Sequence, residues 1–187
     1  NISIIEDAAG AVGSFLNKKH LGTFSRFGTL SFNGNKTITT GMGGAIITKY
    51  KKDYDKLNHL VSTARVTHNW SIKHDTVGFN LRMANINAAL GYAQIKNIKN
   101  TLKDKNRLHN LYLSKFVNNE FCKILPNIKG ANPNFWLTNI FLNEPYKNHQ
   151  QKLIKTLHKN KIFVRELWTP QHLLPMYRQN PKSDLTN

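Results

Sequence analysis

Short apolar runs separated by small and polar residues dominate the first fifty positions of the chain. The run from Ile2 to Ile5 is typical of a strand covered on both faces. The segments 28–32 and 44–48 predict two more strands, and the glycine-rich stretch between them predicts a tight turn. We therefore expect a small group of strands before any helix.

Helical periodicity begins after residue 50. Apolar positions over 53–64 predict a helix with Tyr54, Leu57, Leu60 and Val61 on one face. The segment 67–79 is irregular and rich in histidine and aromatic residues, which indicates an ordered functional loop. The pattern turns helical again from 85 to about 118, and its length predicts a break near Asn100.

The character of the chain changes near residues 126–133, where asparagine, glycine and proline accumulate. A strand is predicted over 135–142, a helix over 148–160 with Leu153, Ile154 and Leu157 inward, and a strand over 162–164. This strand–helix–strand order suggests a second, small α/β layer. We divide the chain into 1–120, part of a large domain, and 121–187, part of a small one.

Composition fits a globular protein of 187 residues, with 40% apolar and 20% charged residues. A lone cysteine, Cys122, excludes an internal disulfide and fits a reducing compartment, so we expect a cytoplasmic protein. No apolar run approaches the roughly 20 residues of a membrane span. The chain starts directly in an apolar run without an initiator methionine, so we expect it to belong to something longer.

The net charge of +17 raises the possibility of a nucleic-acid or anionic-surface partner. The positive residues are mostly lysines scattered along the chain, whereas nucleic-acid readers concentrate arginine and interleave it with aromatics. The abundance of lysine, asparagine and isoleucine favours a compositional origin of the charge. A positive field would also attract a doubly anionic nucleotide-sugar.

Candidate chemistry centres on one lysine in the glycine-rich turn. Lys36 lies between Ser31 and a run of glycines, and Asp7 closes the first apolar segment. An amine nucleophile, a carboxylate and a loop shaped for an anion are what a pyridoxal-phosphate enzyme needs. Each residue also has a purely structural interpretation. Lys36 would be a surface lysine, Asp7 a turn aspartate and Ser31 a buried strand hydroxyl.

Four short motifs give a resemblance to a known family. They are IEDAA at 5–9, SFNGNK at 31–36, TTGMGG at 39–44 and GFNLRM at 78–83. In this order and spacing they resemble the DegT/DnrJ/EryC1/StrS family of pyridoxal-phosphate sugar aminotransferases. The segments HDTVG at 74–78 and RELWTP at 165–170 are similar to the branch that makes 4-amino sugars for legionaminic acid, bacillosamine and perosamine.

The resemblance covers essentially the whole chain, which would match about the C-terminal half of a family member. It implies an α/β fold of the aspartate-aminotransferase type. The large domain would contain a mostly parallel sheet, followed by a small C-terminal α/β domain, with both domains incomplete.

The resemblance also assigns roles. Lys36 would bond covalently to pyridoxal 5′-phosphate and act as base and acid, Asp7 would pair with the pyridine nitrogen, and Ser31 would bind the phosphate. Asn80 would reach the phosphate of the neighbouring subunit, which implies a homodimer with a shared site; a turn-forming asparagine is the alternative. At position 10 the family often has a polar side chain, and this chain has glycine.

The remaining candidates concern the substrate. His68, Trp70, His74 and Trp168 are candidates for the sugar-nucleotide pocket, although packing or surface roles fit the histidines equally. They lack the spacing and companions of a metal site, so no metal is expected. The implied reaction moves an amino group from glutamate to a keto carbon of a nucleotide-linked 4-keto-6-deoxy sugar, for cell-surface polysaccharide or glycan synthesis. The alternative is a truncated, non-catalytic scaffold that binds anionic partners such as nucleic acid.

Overall fold

A computed structural model describes residues 2–184, which form two compact units. The first unit ends at Phe141 and the second begins at Leu142. The strands are β1 (Ile5–Asp7), β2 (Phe15–Leu16), β3 (Lys19–His20), β4 (Phe27–Ser31), β5 (Gly44–Thr48), β6 (Arg65–Val66), β7 (Lys73–His74), β8 (Cys122–Ile124), β9 (Ala131–Asn132) and β10 (Ile140–Leu142). The α-helices are α1 (Lys51–Val61), α2 (Asn85–Lys96), α3 (Ile98–Phe116) and α4 (Gln150–Lys159).

The sheet that matters for function has the order β1-β4-β5. Strands β1 and β4 run parallel, with Asp7 opposite Thr29, and β5 runs antiparallel to β4, with Gly44 opposite Ser31. The predictions of strands at 28–32 and 44–48 are therefore confirmed. Because β1 and β4 are parallel, their carboxyl ends reach the same edge of the sheet.

The first predicted strand differs from the structure in position and in burial. It spans Ile5–Asp7 rather than 2–5, and the side chains of Ile4 and Ile5 are 67% and 64% exposed. The prediction of a strand covered on both faces was wrong for these residues. The physical reason is that β1 is the edge strand of this sheet and pairs only with β4 within residues 2–184.

Three smaller sheets complete the strand pairing, with orders β3-β2-β9, β10-β8 and β6-β7. Strand β9 pairs antiparallel with β2, and β8 packs against α3. The segment that follows residue 120 is thereby attached to the first unit. The division of the chain into domains at residue 120 stays a prediction.

Helix α1 confirms the helix predicted after residue 50. On the predicted apolar face, Leu57, Leu60 and Val61 are half-buried and Tyr54 is 55% exposed. The buried residue of this helix is Asp53, whose two carboxylate oxygens accept hydrogen bonds of 2.6 Å from Arg26. This bidentate ion pair ties the helix to the residue preceding β4.

The long helical pattern is divided as predicted. Helices α2 and α3 are separated at Asn97, three positions before the predicted break at Asn100. The backbone of Asn97 leaves the helical region, with φ −101° and ψ 5°. Small and apolar residues of the first unit are buried, namely Ala8, Val12, Ile38, Ala64, Cys122 and Ile124.

The strand predicted over 135–142 is correct only for its last part, β10. Phe135 has φ +47°, and the backbone N–H of Trp136 donates to the side chain of Asn134 at 2.9 Å. A left-handed residue followed by a side-chain-bonded turn cannot continue a pleated strand, because the strand requires extended backbone and ladder hydrogen bonds.

The second unit contains the predicted helix, as a 3₁₀ turn at Tyr146–His149 followed by α4. The strand predicted over 162–164 was wrong. The N–H and the carbonyl of Val164 lie 3.3 and 2.7 Å from Nε2 of His158, so these groups face an imidazole and not a neighbouring strand. Among residues 2–184, no helix has the length and apolar character that crossing a membrane requires.

Candidate active site

The carboxyl ends of β1 and β4 bring two of the predicted site residues to one edge of the sheet. Asp7 is the last residue of β1 and faces Thr29 of β4, and Ser31 ends β4 two residues later. At about 3.3 Å per residue, Ser31 lies roughly 7 Å further along the strand. Such edges are where α/β proteins commonly bind ligands.

Lys36 follows in the loop that connects β4 to β5. Its backbone N–H donates to the carbonyl of Asn33 at 3.0 Å, and its side chain is half-buried. The Nζ atom lies 3.8 Å from the centroid of the Trp136 ring, whose Nε1–H donates to the carbonyl of Asn35 at 2.6 Å. No carboxylate within residues 2–184 forms an ion pair with this amine.

Two amide side chains of α2 hold the end of this loop. Gln94 accepts a hydrogen bond from the N–H of Thr39 at 3.0 Å and donates to the carbonyl of the same residue at 2.8 Å. About two turns earlier on the helix, Asn87 donates to the carbonyl of Thr40 at 2.6 Å. The loop that carries Lys36 is thereby fixed to a rigid helix through its main chain.

A third amide, from Asn134, holds the other side of the loop. Its side chain is 5% exposed, and Nδ2 donates to the carbonyls of Gly10 and Val12 at 2.8 and 2.9 Å and to Oγ1 of Thr37 at 3.1 Å. Since an amide has two N–H groups, one of them is shared between acceptors. Asn134 thus joins the segment after β1 to the lysine loop, which consists of residues 32–43 between β4 and β5.

Asp7 and Ser31 each accept a hydrogen bond from the residue two positions later in the chain. Oδ1 of Asp7 accepts the N–H of Ala9 at 3.1 Å, and Oγ of Ser31 accepts the N–H of Asn33 at 3.3 Å. These are turn contacts, and they leave the exposed carboxylate of Asp7 with acceptor capacity. A half-buried amine in the loop after β4, with a carboxylate and a hydroxyl at the ends of β1 and β4, is a set of groups that fits pyridoxal phosphate.

Asn80 lies elsewhere in the first unit. It bridges to Ser62 just beyond the end of α1. None of the hydrogen bonds or ion pairs among the described residues joins it to Asp7, Ser31 or Lys36.

The substrate candidates fall into two places. Trp70 is 85% exposed, and its ring meets that of His68 edge to face at 5.0 Å. His74 belongs to β7, and its Nδ1 lies 2.7 Å from the carbonyl of Thr63. Trp168 belongs to the second unit and is 74% exposed.

Sequence reasoning missed the residues that hold the loop, which are Asn87, Gln94, Asn134 and Trp136. Their partners are distant along the chain, as the separation of 55 residues between Gln94 and Thr39 illustrates. An amide that bonds to backbone leaves no periodic or motif signal in a single sequence. Trp136 was assigned to a strand, where its aromatic character fitted the prediction.

Comparison with known proteins shows to which family the chain belongs. The model of the DegT/DnrJ/EryC1/StrS aminotransferase family matches residues 1–187. The chain belongs to this family. Membership in the DegT/DnrJ/EryC1/StrS aminotransferases confirms the resemblance carried by the four motifs.

Among curated proteins, the chain is 35% identical over 176 residues to a GDP-perosamine synthase of Vibrio cholerae, covering 93% of this chain and 47% of that protein. It is 34% identical over 187 residues to the GDP-perosamine synthase of Escherichia coli O157:H7, covering 96% and 48%. The chain thus spans about half the length of the curated relatives it matches.

A solved structure shows the same fold. Helicobacter pylori PseC, an aminotransferase involved in the biosynthesis of pseudoaminic acid, superimposes with a TM-score of 0.89 at 24% identity, covering 96% of this chain and 48% of that one. The predicted α/β fold of pyridoxal-phosphate-dependent aminotransferases is confirmed. In the three strands β1, β4 and β5, one pair is parallel and one is antiparallel.

Proposed function

We propose that Lys36 binds pyridoxal 5′-phosphate covalently in the complete protein, with Asp7 facing the pyridine nitrogen and Ser31 facing the phosphate. The observation that supports this proposal is the loop after β4, which carries Lys36 and is held by Gln94 and Asn134, together with Asp7 and Ser31 at the ends of the neighbouring strands β1 and β4. When bound, the cofactor supplies an electron sink. The Lys36 amine would then take and return the proton of the reacting carbon.

The proposed reaction is amino transfer, with glutamate as donor, to the keto carbon of a nucleotide-linked 4-keto-6-deoxy sugar for cell-surface polysaccharide or glycan synthesis. The relatives named GDP-perosamine synthase support a nucleotide-sugar substrate. His68, Trp70, His74 and Trp168 remain proposed contacts to this substrate. The ring of Trp70 is 85% exposed and could stack on a sugar or base.

We also propose a homodimer and a cytoplasmic location. Asn80 is exposed and, among the described residues, forms no hydrogen bond to Asp7, Ser31 or Lys36, which is compatible with a role in the partner's site. The lone Cys122 is unpaired and buried, as suits a reducing compartment. Light scattering of the full-length protein tests the dimer, and a monomer with full turnover would contradict the shared site.

Borohydride reduction of the full-length protein with pyridoxal 5′-phosphate, followed by peptide mapping, tests the central proposal. The reduced adduct is expected on Lys36. Lys36→Ala should lower turnover by about 10³-fold or more, because both the covalent attachment and the proton carrier are lost. Lys49→Ala, at an exposed lysine following β5, is the matched control and should retain turnover.

The scaffold alternative rests on the net charge of +17. It expects retention on nucleic acid that falls steeply with salt, no turnover in the wild type, and no effect of Lys36→Ala. An adduct on another lysine, or none at all, would refute the proposed function.

A further inference from the structure

The indole of Trp136 lies between Gly10 and the amine of Lys36. Its ring centroid is 3.8 Å from Nζ of Lys36. A Cβ atom at position 10 would lie only 2.9 Å from Cε3 and 3.0 Å from Cζ3 of the same ring. Real Cβ atoms essentially never approach carbon so closely, so the indole takes the space of a side chain at residue 10.

Two hydrogen bonds fix the indole in this place. The ring Nε1–H donates to the carbonyl of Asn35, the residue next to Lys36, at 2.6 Å. The backbone N–H of Trp136 donates to Oδ1 of the buried Asn134 at 2.9 Å, and Asn134 in turn holds the carbonyl of Gly10. The ring is therefore tied at one end to the lysine loop and at the other to the segment after β1.

A cation held over an aromatic face is attracted by the ring quadrupole. Lysine has a flexible four-carbon stem, and restricting its conformers reduces the entropy that must be lost when the amine is brought to a reacting group. We propose that Trp136 is a positioning residue for the Lys36 amine. The missing side chain at Gly10 leaves room for the ring of Trp136. This inference rests on the proposed function of Lys36.

Competitive acetylation of the cofactor-free, full-length protein with acetic anhydride, read by mass spectrometry at each lysine, tests the positioning. In Trp136→Leu, labelling of Lys36 should rise about fivefold, because the ammonium loses its aromatic partner. Trp136→Phe keeps an aromatic face and should stay within about twofold of wild type. An unchanged Lys36 in Trp136→Leu would overturn the proposal.

The matched control uses a second lysine–aromatic contact of the same kind. Nζ of Lys96 lies 4.4 Å from the centroid of the exposed Tyr92 ring on α2. Tyr92→Leu should raise the labelling of Lys96 and leave Lys36 unchanged. A rise at Lys36 in this variant would show a general effect on the fold and would count against positioning by Trp136.

Gly10→Ala tests the space. The new methyl group must displace the indole, so labelling of Lys36 should rise as it does in Trp136→Leu. In the double variant Gly10→Ala/Trp136→Leu no ring is left to displace, and labelling should equal that of Trp136→Leu alone. Additive effects of the two substitutions would show that they act independently and would overturn the pairing.

Reductive capture of pyridoxal 5′-phosphate distinguishes positioning from simple shielding. If Trp136 positions the Lys36 amine, replacing it should make the reaction of this amine with pyridoxal 5′-phosphate less efficient. Trp136→Leu should therefore reduce the adduct on Lys36 about fivefold while acetylation rises. A rise in both readouts would mean that the ring only shields the amine. If wild type forms no adduct on Lys36 while the acetylation pattern holds, the proposed function fails and the contact of Trp136 with Lys36 stands.

Discussion

Removing the amide of Asn134 is the sharpest test of how the lysine loop is held. Asn134→Ala deletes the donor to the carbonyls of Gly10 and Val12 and to Thr37, and the acceptor for the N–H of Trp136. The backbone N–H of residue 134, which donates to Ser14 Oγ, is kept. The variant therefore removes a tertiary connection without altering the chain around it.

The magnitude follows from counting the bonds that the side chain can make at one time. Two N–H groups and one carbonyl oxygen give three hydrogen bonds, each with a net contribution of about 1 kcal/mol. Because the side chain is 5% exposed, water cannot fully replace these bonds in the variant. We expect the free energy of unfolding to fall by about 3 kcal/mol, out of the roughly 5–15 kcal/mol typical of a domain.

Urea unfolding of the full-length protein, followed by circular dichroism, measures this change. Asn100→Ala is the matched control, since Asn100 is exposed and its side chain donates only to Oδ1 of Asn97 at 2.7 Å. It should cost less than about 0.5 kcal/mol. Hydrogen exchange adds a local readout, because the amide of Trp136 should lose protection in Asn134→Ala and retain it in the control.

An unfolding free energy for Asn134→Ala within about 0.5 kcal/mol of Asn100→Ala would refute the reasoning. So would full protection of the Trp136 amide in the variant. Asn134→Asp sharpens the result, because it keeps the acceptor for Trp136 and replaces the donor by a charged acceptor facing carbonyls. It should be at least as destabilising as Asn134→Ala.

Three further predictions concern residues outside the amine contact. Burial lowers the pKa of His109 below its ordinary 6.5. The unfolded chain therefore takes up the proton more readily, and the free energy of unfolding should fall as pH drops below about 6.5. An unchanged slope of unfolding free energy against pH in His109→Gln would contradict this. Burial raises the pKa of the Cys122 thiol. Iodoacetamide at pH 8 should therefore modify Cys122 roughly tenfold more slowly in the folded protein than in urea. Similar rates in the two conditions would contradict this. Gln94→Leu removes both bonds to Thr39 and should speed exchange of the Thr39 amide roughly tenfold by mass spectrometry, whereas unchanged exchange would show that the clamp is not needed.

Much of the fold follows from local patterns in the sequence. Strands β4 and β5 were predicted because apolar runs flank a turn rich in glycine, and the break between α2 and α3 was predicted from the length of the pattern. These features depend on residues close together in the chain. Local propensity and periodicity are therefore sufficient to find them.

Two of the failures have non-local causes. The apolar run at 2–5 reads as buried, yet β1 lies at the edge of its sheet, and no property of the run itself reports its neighbours. The segment 135–139 has strand-like composition, but Asn134 imposes a turn through partners more than 90 positions away. Tertiary hydrogen bonds of this kind override β propensity.

The same distinction applies to the candidate site. Lys36, Asp7 and Ser31 were predicted because strand ends and a glycine-rich loop carry a recognisable motif, and the structure places Asp7 and Ser31 at one edge. Asn80 was also found by motif, but its predicted role needs a second subunit. The supporting amides carry no motif and became visible only through the fold.

The grip of α2 on the lysine loop has a consequence for protein engineering. Gln94 and Asn87 bind only main-chain atoms of residues 39 and 40, so their hold does not depend on which side chains the loop carries. A combinatorial library could vary exposed loop positions such as Met42 while the two helix amides and the buried Thr40 are kept constant. Sequence diversity should then accumulate at the exposed loop positions, while the two amides of α2 stay unchanged.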